Sequence, residues 1–115
     1  MPGSAKTVEA RFYQSPSGSE PVRDWLKALA PQDRKVIGID IATIEYSWPV
    51  GMPHCRPLGG GLWEVRSAVS DGRIARVIFS LKGDYMVLLH GFIKKSQKTP
   101  GRDLDLARAR LRELS

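Results

Sequence analysis

The sequence predicts an α+β fold, in which a small mixed or antiparallel sheet is packed by an N-terminal helical hairpin and a C-terminal helix. Apolar residues alternate with polar ones near the N-terminus and again in three segments between residues 62 and 93, which is the period of strands. Residues 20–48 and 99–114 instead place apolar residues at helical spacing. The predicted order of elements is therefore β-α-α-β-β-β-α.

The first three predicted elements occupy residues 8–48. Residues 8–13 alternate between an apolar and a polar face, as a strand does. Ser19 is the expected N-cap of a short first helix, and Pro31 opens a second helix. The core-facing residues of these two helices are Val22, Trp25, Leu26, Leu29, Ile37, Ile41, Ile44 and Trp48. Pro49 then ends the helical hairpin.

Three further strands are expected after a loop over residues 49–61, where prolines and glycines interrupt any regular pattern. The strands cover residues 62–69, 73–81 and 85–93. Short turns at Asp71-Gly72 and Gly83-Asp84 join them, so they must be sequential antiparallel neighbours.

The last of these strands is apolar on both faces, which indicates that it lies inside the sheet and is covered from both sides. One face is expected to hold Met86, Leu88, His90, Phe92 and Lys94. The other face is expected to hold Val87, Leu89, Gly91, Ile93 and Lys95. His90 is then either a satisfied, semi-buried residue or a residue at the mouth of a site.

A final helix is expected to begin with Thr99 as its N-cap and Pro100 as its first residue. Its core stripe comprises Leu104, Ala107, Leu111 and Leu114. Its outward arginines are Arg102, Arg108, Arg110 and Arg112. They form either a solvated helix face or part of a surface for RNA or an acidic partner.

Charge and composition limit the classes of function. The chain has 115 residues, enough for one domain spanning residues 1–115, and 18 Lys and Arg against 12 Asp and Glu give a net charge of +6. This excess favours nucleic acid as a partner, then an acidic protein, then a membrane surface. The short polar N-terminus lacks a signal peptide and no segment approaches a membrane span of about 20 apolar residues, so a cytoplasmic location is expected.

The residues with chemical potential are cations rather than a catalytic triad or a metal set. Two histidines, His54 and His90, and one cysteine, Cys55, do not have the spacing of metal ligands, so no metal or cofactor is expected. Six cations lie on the predicted strands or just beyond the last one: Arg66, Arg73, Arg76, Lys94, Lys95 and Lys98. If Arg66 and Arg76 share a face, their guanidiniums form a clamp for phosphate. The lysine run alone is equally typical of a solvated strand end.

Such a site has enough chemistry to cleave RNA without a metal. The ribose 2′-OH is an internal nucleophile, so the protein needs to position the RNA, stabilise charge on the phosphate and transfer a proton. An imidazole has an unperturbed pKa of about 6.5 and is suited to proton transfer. His90 is therefore the first candidate, with Lys94 or Lys95 as the alternative if the histidine is buried.

Three segments resemble a known family. They read Leu58-Gly-Gly-Gly-Leu-Trp-Glu-Val-Arg66, then Arg76-Val-Ile-Phe79, then Val87-Leu-Leu-His-Gly-Phe-Ile-Lys-Lys-Ser-Gln-Lys-Thr-Pro100. They are similar to the phage-derived, HigB-like branch of the RelE/ParE toxin superfamily. The resemblance implies a RelE-like fold and the toxin of a type II toxin-antitoxin pair. It further implies a metal-independent endoribonuclease that cleaves mRNA on the ribosome, and an antitoxin partner of the helix-turn-helix type.

The resemblance also implies roles for individual residues. Arg66 and Arg76 match arginines that contact phosphate, and Lys94 and Lys95 match the basic strand end that stabilises the transition state. Four further residues are expected to bind nucleic acid: Arg73, Gln97, Lys98 and Arg102. Beyond Pro100 the chain lacks the tyrosine or histidine that some RNA-cleaving relatives have. Either His90 replaces that residue or the chemistry is weaker than in those relatives.

Two other functions compete with the nuclease. A ParE-like protein would inhibit DNA gyrase by binding it, without an enzymatic step. A non-catalytic relative would bind RNA or DNA in a salt-sensitive manner and leave no cleavage product.

Overall fold

A computed structural model of the protein describes residues 5–49, 55–94 and 98–114. Within these residues the elements follow in the order β1 (Glu9–Phe12), α1 (Pro21–Lys27), α2 (Pro31–Ser47), β2 (Cys55–Gly59), β3 (Leu62–Ala68), β4 (Ile74–Lys82), β5 (Tyr85–Lys94) and α3 (Gly101–Glu113). The predicted α+β class is confirmed, with one strand more than expected.

The five strands form one mixed sheet in the order β1-β5-β4-β3-β2. β1 runs parallel to β5, and the other neighbours are antiparallel. β3, β4 and β5 are the predicted meander, and their turns use positive φ angles at Asp71, Gly72 and Gly83. β5 has a neighbour on each side, as its apolar faces predicted, while β4 is the middle strand.

The expectation of a loop over residues 49–61 is wrong at its second half. Cys55–Gly59 is a strand that pairs antiparallel with β3. It forms the edge of the sheet, where Pro57 is tolerated because one side of an edge strand needs no partner. Gly59, Gly60 and Gly61 then turn the chain with positive φ angles, which glycine adopts without steric cost. Residues 50–54 of the expected loop lie outside the described residues.

The helices pack on opposite faces of the sheet. The buried stripe of α2, Ile37, Ile41 and Ile44, belongs to a core with Val77 and Phe79 of β4. On the other face, Ala107 of α3 is buried in a second core that includes Leu62, Ile78 and Leu89. The predicted core stripes of both helices are therefore confirmed.

The predicted helix caps are wrong by one residue. The N-cap of α1 is Glu20 and that of α3 is Pro100, neither with a side-chain capping bond. The hydroxyl of Ser19 instead forms a hydrogen bond with the hydroxyl of Ser15. The Thr99 hydroxyl donates to Glu64 on β3. Both hydroxyls are thus used to fix loops rather than helix ends.

A β-bulge in β5 changes the predicted faces of that strand. Ile78 of β4 pairs with His90 and Phe79 pairs with Leu88, so Leu89 is an extra residue. Met86 and Leu88 face the α1–α2 side, whereas Phe92 lies in the α3 core. The expectation that Met86, Leu88, His90 and Phe92 share a face is therefore wrong. The bulge moves the last two to the face covered by α3.

Among the described residues, no helix combines the length and the apolar character needed to cross a membrane.

Candidate active site

Arg66 and Arg76 form the centre of the candidate site. They are direct cross-strand partners on β3 and β4, so their side chains leave the sheet on the same face. The side chain of Arg66 is 24% exposed, while Arg76 is completely buried. The sequence left open whether the two arginines share a face, and the register shows that they do. Arg76 does not reach the surface as a phosphate contact requires.

The guanidinium of Arg76 is packed against an aromatic ring. Its Cζ atom lies 6.0 Å from the ring centroid of Phe92, which the bulge has turned to this face. Burial is the main cause that lowers the pKa of Arg76 below its ordinary value, and the nearby charge of Arg66 lowers it further. The arginine therefore supplies a buried positive charge directly behind Arg66.

Glu64 is the acidic residue that links the basic residues of this face. It is completely buried, and its Oε1 atom lies 3.3 Å from Nε of Arg56 and 3.4 Å from Nε of Arg66. Its other oxygen accepts the hydroxyl of Thr99, just before α3. Glu64 thus connects β2, β3 and the start of α3. The sequence pattern indicated no role for Glu64 or for Arg56.

His90 has a carboxylate partner on α3. Its Nε2 atom lies 2.7 Å from Oδ1 of Asp103, and the two side chains are 15% and 12% exposed. The imidazole also stacks on Phe92, with ring centroids 5.5 Å apart and planes inclined by 24°. His90 is therefore a semi-buried residue with a partner, opposite Ile78 and beside the cross-strand row of Arg66, Arg76 and Phe92. Asp103, which the sequence analysis missed, is separated from His90 by 13 positions, so no local motif indicated the pair.

The structure brings together only some of the other predicted site residues. Lys94 pairs with Ile74 at the end of β5 and shares the α3 face with His90. Nη2 of Arg73 instead lies 3.5 Å from Oδ2 of Asp33 on α2, and Nε of Arg73 donates to the carbonyl of Ser70. Arg73 is therefore held against the helical hairpin. Two further cations, Lys98 and Arg102, are exposed at the start of α3. Two predicted residues, Lys95 and Gln97, lie outside the described residues, as does His54.

The chain matches one protein family. The profile of the family described as phage-derived protein Gp49-like (DUF891) matches residues 24–112, which is more than half of the chain. The protein belongs to this Gp49-like family. The family includes RelE-like toxins of toxin-antitoxin systems. No curated protein is detectably similar to the chain.

The surface of this Gp49-like protein is open beside Arg66. A pocket of about 230 Å³ is lined by Arg66, Ser67, Ala68 and Ile74. A larger pocket of about 430 Å³ lies by the turn between β4 and β5, where Lys6 and Lys82 contribute to it, but none of the candidate site residues lines it. We therefore place the candidate site at the smaller pocket, because Arg66, a candidate site residue, lines it.

The chemistry of this Gp49-like site is that of fixed cations and one imidazole. Within residues 5–49, 55–94 and 98–114, no group of three or more His, Cys, Asp or Glu side chains is arranged to hold a metal ion. Arg66 is placed to bind an anion at the surface, and Arg76 adds positive potential behind it. His90 lies farther along the same face, beyond Phe92.

Proposed function

We propose that the protein is the toxin of a type II toxin-antitoxin system and that it cleaves mRNA, on the ribosome, as a metal-independent endoribonuclease. The observation that supports this most directly is the pairing of Arg66 with Arg76 on the face that also holds His90 and Lys94. Membership in a family that includes RelE-like toxins supports the same conclusion.

In this proposal Arg66 binds the scissile phosphate directly. Its guanidinium is partly exposed beside a pocket and presents parallel N–H donors, which suit the oxygens of a phosphate. As O2′ attacks phosphorus, negative charge grows on the phosphate oxygens, and a fixed donor aimed at them lowers the barrier. Glu64 holds Arg66 in place from beneath, which reduces the ordering that RNA binding must achieve.

Arg76 acts on the phosphate through the electrostatic potential, without contacting it. It has no exposed surface, and its partner across the strands is Arg66. A buried charge in surroundings of low polarity acts strongly on its neighbours. The basic strand end contributes more cations, with Lys94 on the same face and Lys98 exposed beyond it. We propose that Lys95, Gln97 and Arg102 bind the RNA, and that Arg73 has a structural role instead.

An antitoxin is the expected protein partner. A free mRNA nuclease would arrest growth, so the proposed activity requires a neutralising partner, for which we propose a helix-turn-helix protein that covers this face. The remaining expectations, a single domain over residues 1–115 and action in the cytoplasm, are parts of the same proposal.

The test is primer extension on a reporter mRNA in a translating bacterial extract, with and without ribosomes. Wild-type protein is compared with Arg66→Ala and with Arg11→Ala, a matched control whose side chain is 55% exposed on β1. We expect discrete new 5′ ends with wild type and Arg11→Ala but not with Arg66→Ala, and only when ribosomes are present.

Two results would overturn the proposal in different ways. Intact mRNA with folded wild-type protein would exclude the nuclease, and inhibition of DNA supercoiling by the same sample would favour the gyrase-binding function. Cleavage by Arg66→Ala at the wild-type rate would leave the nuclease but move its phosphate site elsewhere.

A further inference from the structure

The position of His90 is set by an irregularity of its strand. The extra residue Leu89 turns His90 towards α3, although strict alternation would place it with Leu88 on the opposite face. The carbonyl of Leu89 accepts a hydrogen bond of 2.8 Å from Nη1 of Arg110 on α3. The bulge is thus fastened to the same helix that provides Asp103.

The carboxylate of Asp103 is directed at one nitrogen of the imidazole. The distance from Oδ1 to Nε2 is 2.7 Å, and Asp103 lies in the first turn of α3, where the helix dipole favours a negative charge. Its second oxygen, Oδ2, is buried and has no hydrogen-bond partner among the described residues. A carboxylate that accepts a hydrogen bond from Nε2–H fixes the tautomer of the imidazole. The lone pair of Nδ1 is then available to accept a proton.

We propose that Asp103 is a positioning residue that holds the proton of neutral His90 on Nε2, so that Nδ1 is the atom that takes up the proton in RNA cleavage. The inference rests on the proposed nuclease function. The proton of the ribose 2′-OH passes to Nδ1 as O2′ forms a bond to phosphorus. The P–O5′ bond breaks, its electron pair leaves on O5′, and O5′ takes a proton from solvent. The products are a 2′,3′-cyclic phosphate and a 5′-hydroxyl end, and the imidazolium returns its proton to solvent.

The charged groups around the pair fit this assignment. The imidazolium formed during the reaction faces Asp103 from α3. Lys94 lies on the same face of the sheet, four residues farther along β5. Phe92 lies between the imidazole and Arg76 of β4, so the buried arginine is separated from His90 by an aromatic ring. The carboxylate therefore offsets the positive charge that arises on His90 during proton transfer.

The competing explanation is structural. A hydrogen bond between β5 and α3 would also dock the helix on the sheet, and its loss would lower stability without any specific effect on proton transfer. The test must therefore separate the position of a proton from the stability of the fold.

Asp103→Asn is the informative variant, because an amide has the shape of the carboxylate but no charge and can donate to Nε2. Asp105→Asn is the matched control: it removes a carboxylate from the same helix, 79% exposed and paired with Arg108. The tautomer of His90 is read from the ¹⁵N chemical shifts of the imidazole. The chain has two histidines, so His54→Gln assigns the signals. Cleavage rates are measured by primer extension as a function of RNA concentration.

We expect the Nε2–H tautomer in wild type and in Asp105→Asn, and its loss in Asp103→Asn. The turnover rate of Asp103→Asn should fall about 10²- to 10⁴-fold, the range for general acid–base catalysis, with KM little changed. Asp103→Glu should recover part of the rate.

The outcomes are distinguishable. If wild type cleaves and Asp103→Asn cleaves as fast, the inference is wrong and the nuclease stands. If Asp103→Asn is slow but its tautomer is unchanged, Asp103 is merely structural and the inference is again wrong. If wild type does not cleave at all, the proposed function fails and the inference fails with it.

Discussion

Arg66 and Arg76 are directly opposed across β3 and β4, although both are positively charged and one is completely buried. Like charges at such positions are destabilising. Glu64 offsets part of this cost through its ion pair with Arg66 at 3.4 Å. The guanidinium of Arg66 is partly exposed beside two other arginines, so an incoming phosphate would add negative charge where cations are concentrated. This concentration of cations is the physical basis of the predictions for Arg66 and Glu64.

Replacing Arg66 should reduce catalysis much more than it reduces stability. Removal of one fixed donor to a developing oxyanion typically costs about 10²- to 10³-fold in rate, and we expect that loss for Arg66→Ala. Arg66→Lys keeps the charge without the paired N–H donors, so its rate should lie between those of wild type and Arg66→Ala. The measurement is the initial rate of mRNA cleavage by wild type and by each variant. Equal rates for Arg66→Lys and Arg66→Ala would mean that charge alone at this position contributes nothing.

Glu64→Gln should destabilise the fold. The amide keeps a hydrogen-bond acceptor for Thr99 but removes the charge shared by Arg56 and Arg66. Breaking a fully buried ion pair costs about 3–5 kcal/mol. Because both arginine side chains are partly exposed, we expect a smaller loss of about 2 kcal/mol in the free energy of unfolding.

Urea denaturation measures this loss, with Glu9→Gln as the control. Glu9 pairs with Arg11 at 3.0 Å, but both side chains are more than half exposed, so the change should be too small to measure. If Glu64→Gln were as stable as wild type, Arg56, Arg66 and Arg76 would not need a buried counter-charge.

The sequence predicted the meander, because alternation and two short turns are typical of adjacent antiparallel strands. It left open whether Arg66 and Arg76 share a face, which depends on the register of β3 and β4. It could not predict that His90 changes face. Residues on both sides of β5 are apolar, so the pattern reads the same with or without an extra residue at Leu89. When a strand is buried on both faces, its hydrophobic pattern does not indicate whether it contains a bulge.

The ion pairs of the site were also beyond the sequence. Arg56 lies on an edge strand whose Pro57 and Gly59 are typical of a loop, so its contact with Glu64 had no basis in the pattern. Asp103 lies in the first turn of α3, where the helix dipole is a sufficient local explanation for an acidic residue. Its contact with His90 depends on how α3 packs on the sheet.

Gly91→Ala should destabilise the protein through a clash with α1. A Cβ atom on Gly91 would lie 2.5 Å from two ring atoms of Trp25, closer than packed carbon atoms approach. Overpacking of this kind costs about 1–3 kcal/mol in the free energy of unfolding. In the background of Trp25→Ala the penalty should disappear, because the ring that the new methyl group meets is gone.

The matched control for this prediction is Gly38→Ala on α2. Apart from the adjacent residues and the backbone of its own helix, a Cβ atom there meets no heavy atom of the described residues within 4 Å. Alanine is also the better helix former. We expect this variant to gain about 0.5–1 kcal/mol. Urea denaturation of the variants tests the packing of β5 against α1. An equal effect of both glycine replacements would contradict that packing.

Asp33 should make the stability of the protein depend on acidic pH. Its carboxylate accepts hydrogen bonds from the backbone N–H of Ser70 at 3.0 Å and from the Ser70 hydroxyl at 2.8 Å. These bonds, with a smaller contribution from Arg73, lower the pKa of Asp33 below its ordinary value of 3.8. The folded state therefore binds this proton less readily than the unfolded state does. The stabilisation is complete above the ordinary pKa and is lost as the pH falls through the lower folded value.

The measurement is the urea midpoint of wild type and of Asp33→Asn from neutral pH into the acidic range. The advantage of wild type should be constant near neutrality and shrink as the carboxylate becomes protonated. Asp24→Asn, which alters an exposed carboxylate of α1, should follow wild type throughout. If the advantage of wild type over Asp33→Asn grew on acidification, the charged carboxylate would be destabilising. In that case the bonds from Ser70 could not be what anchors the β3–β4 turn to α2.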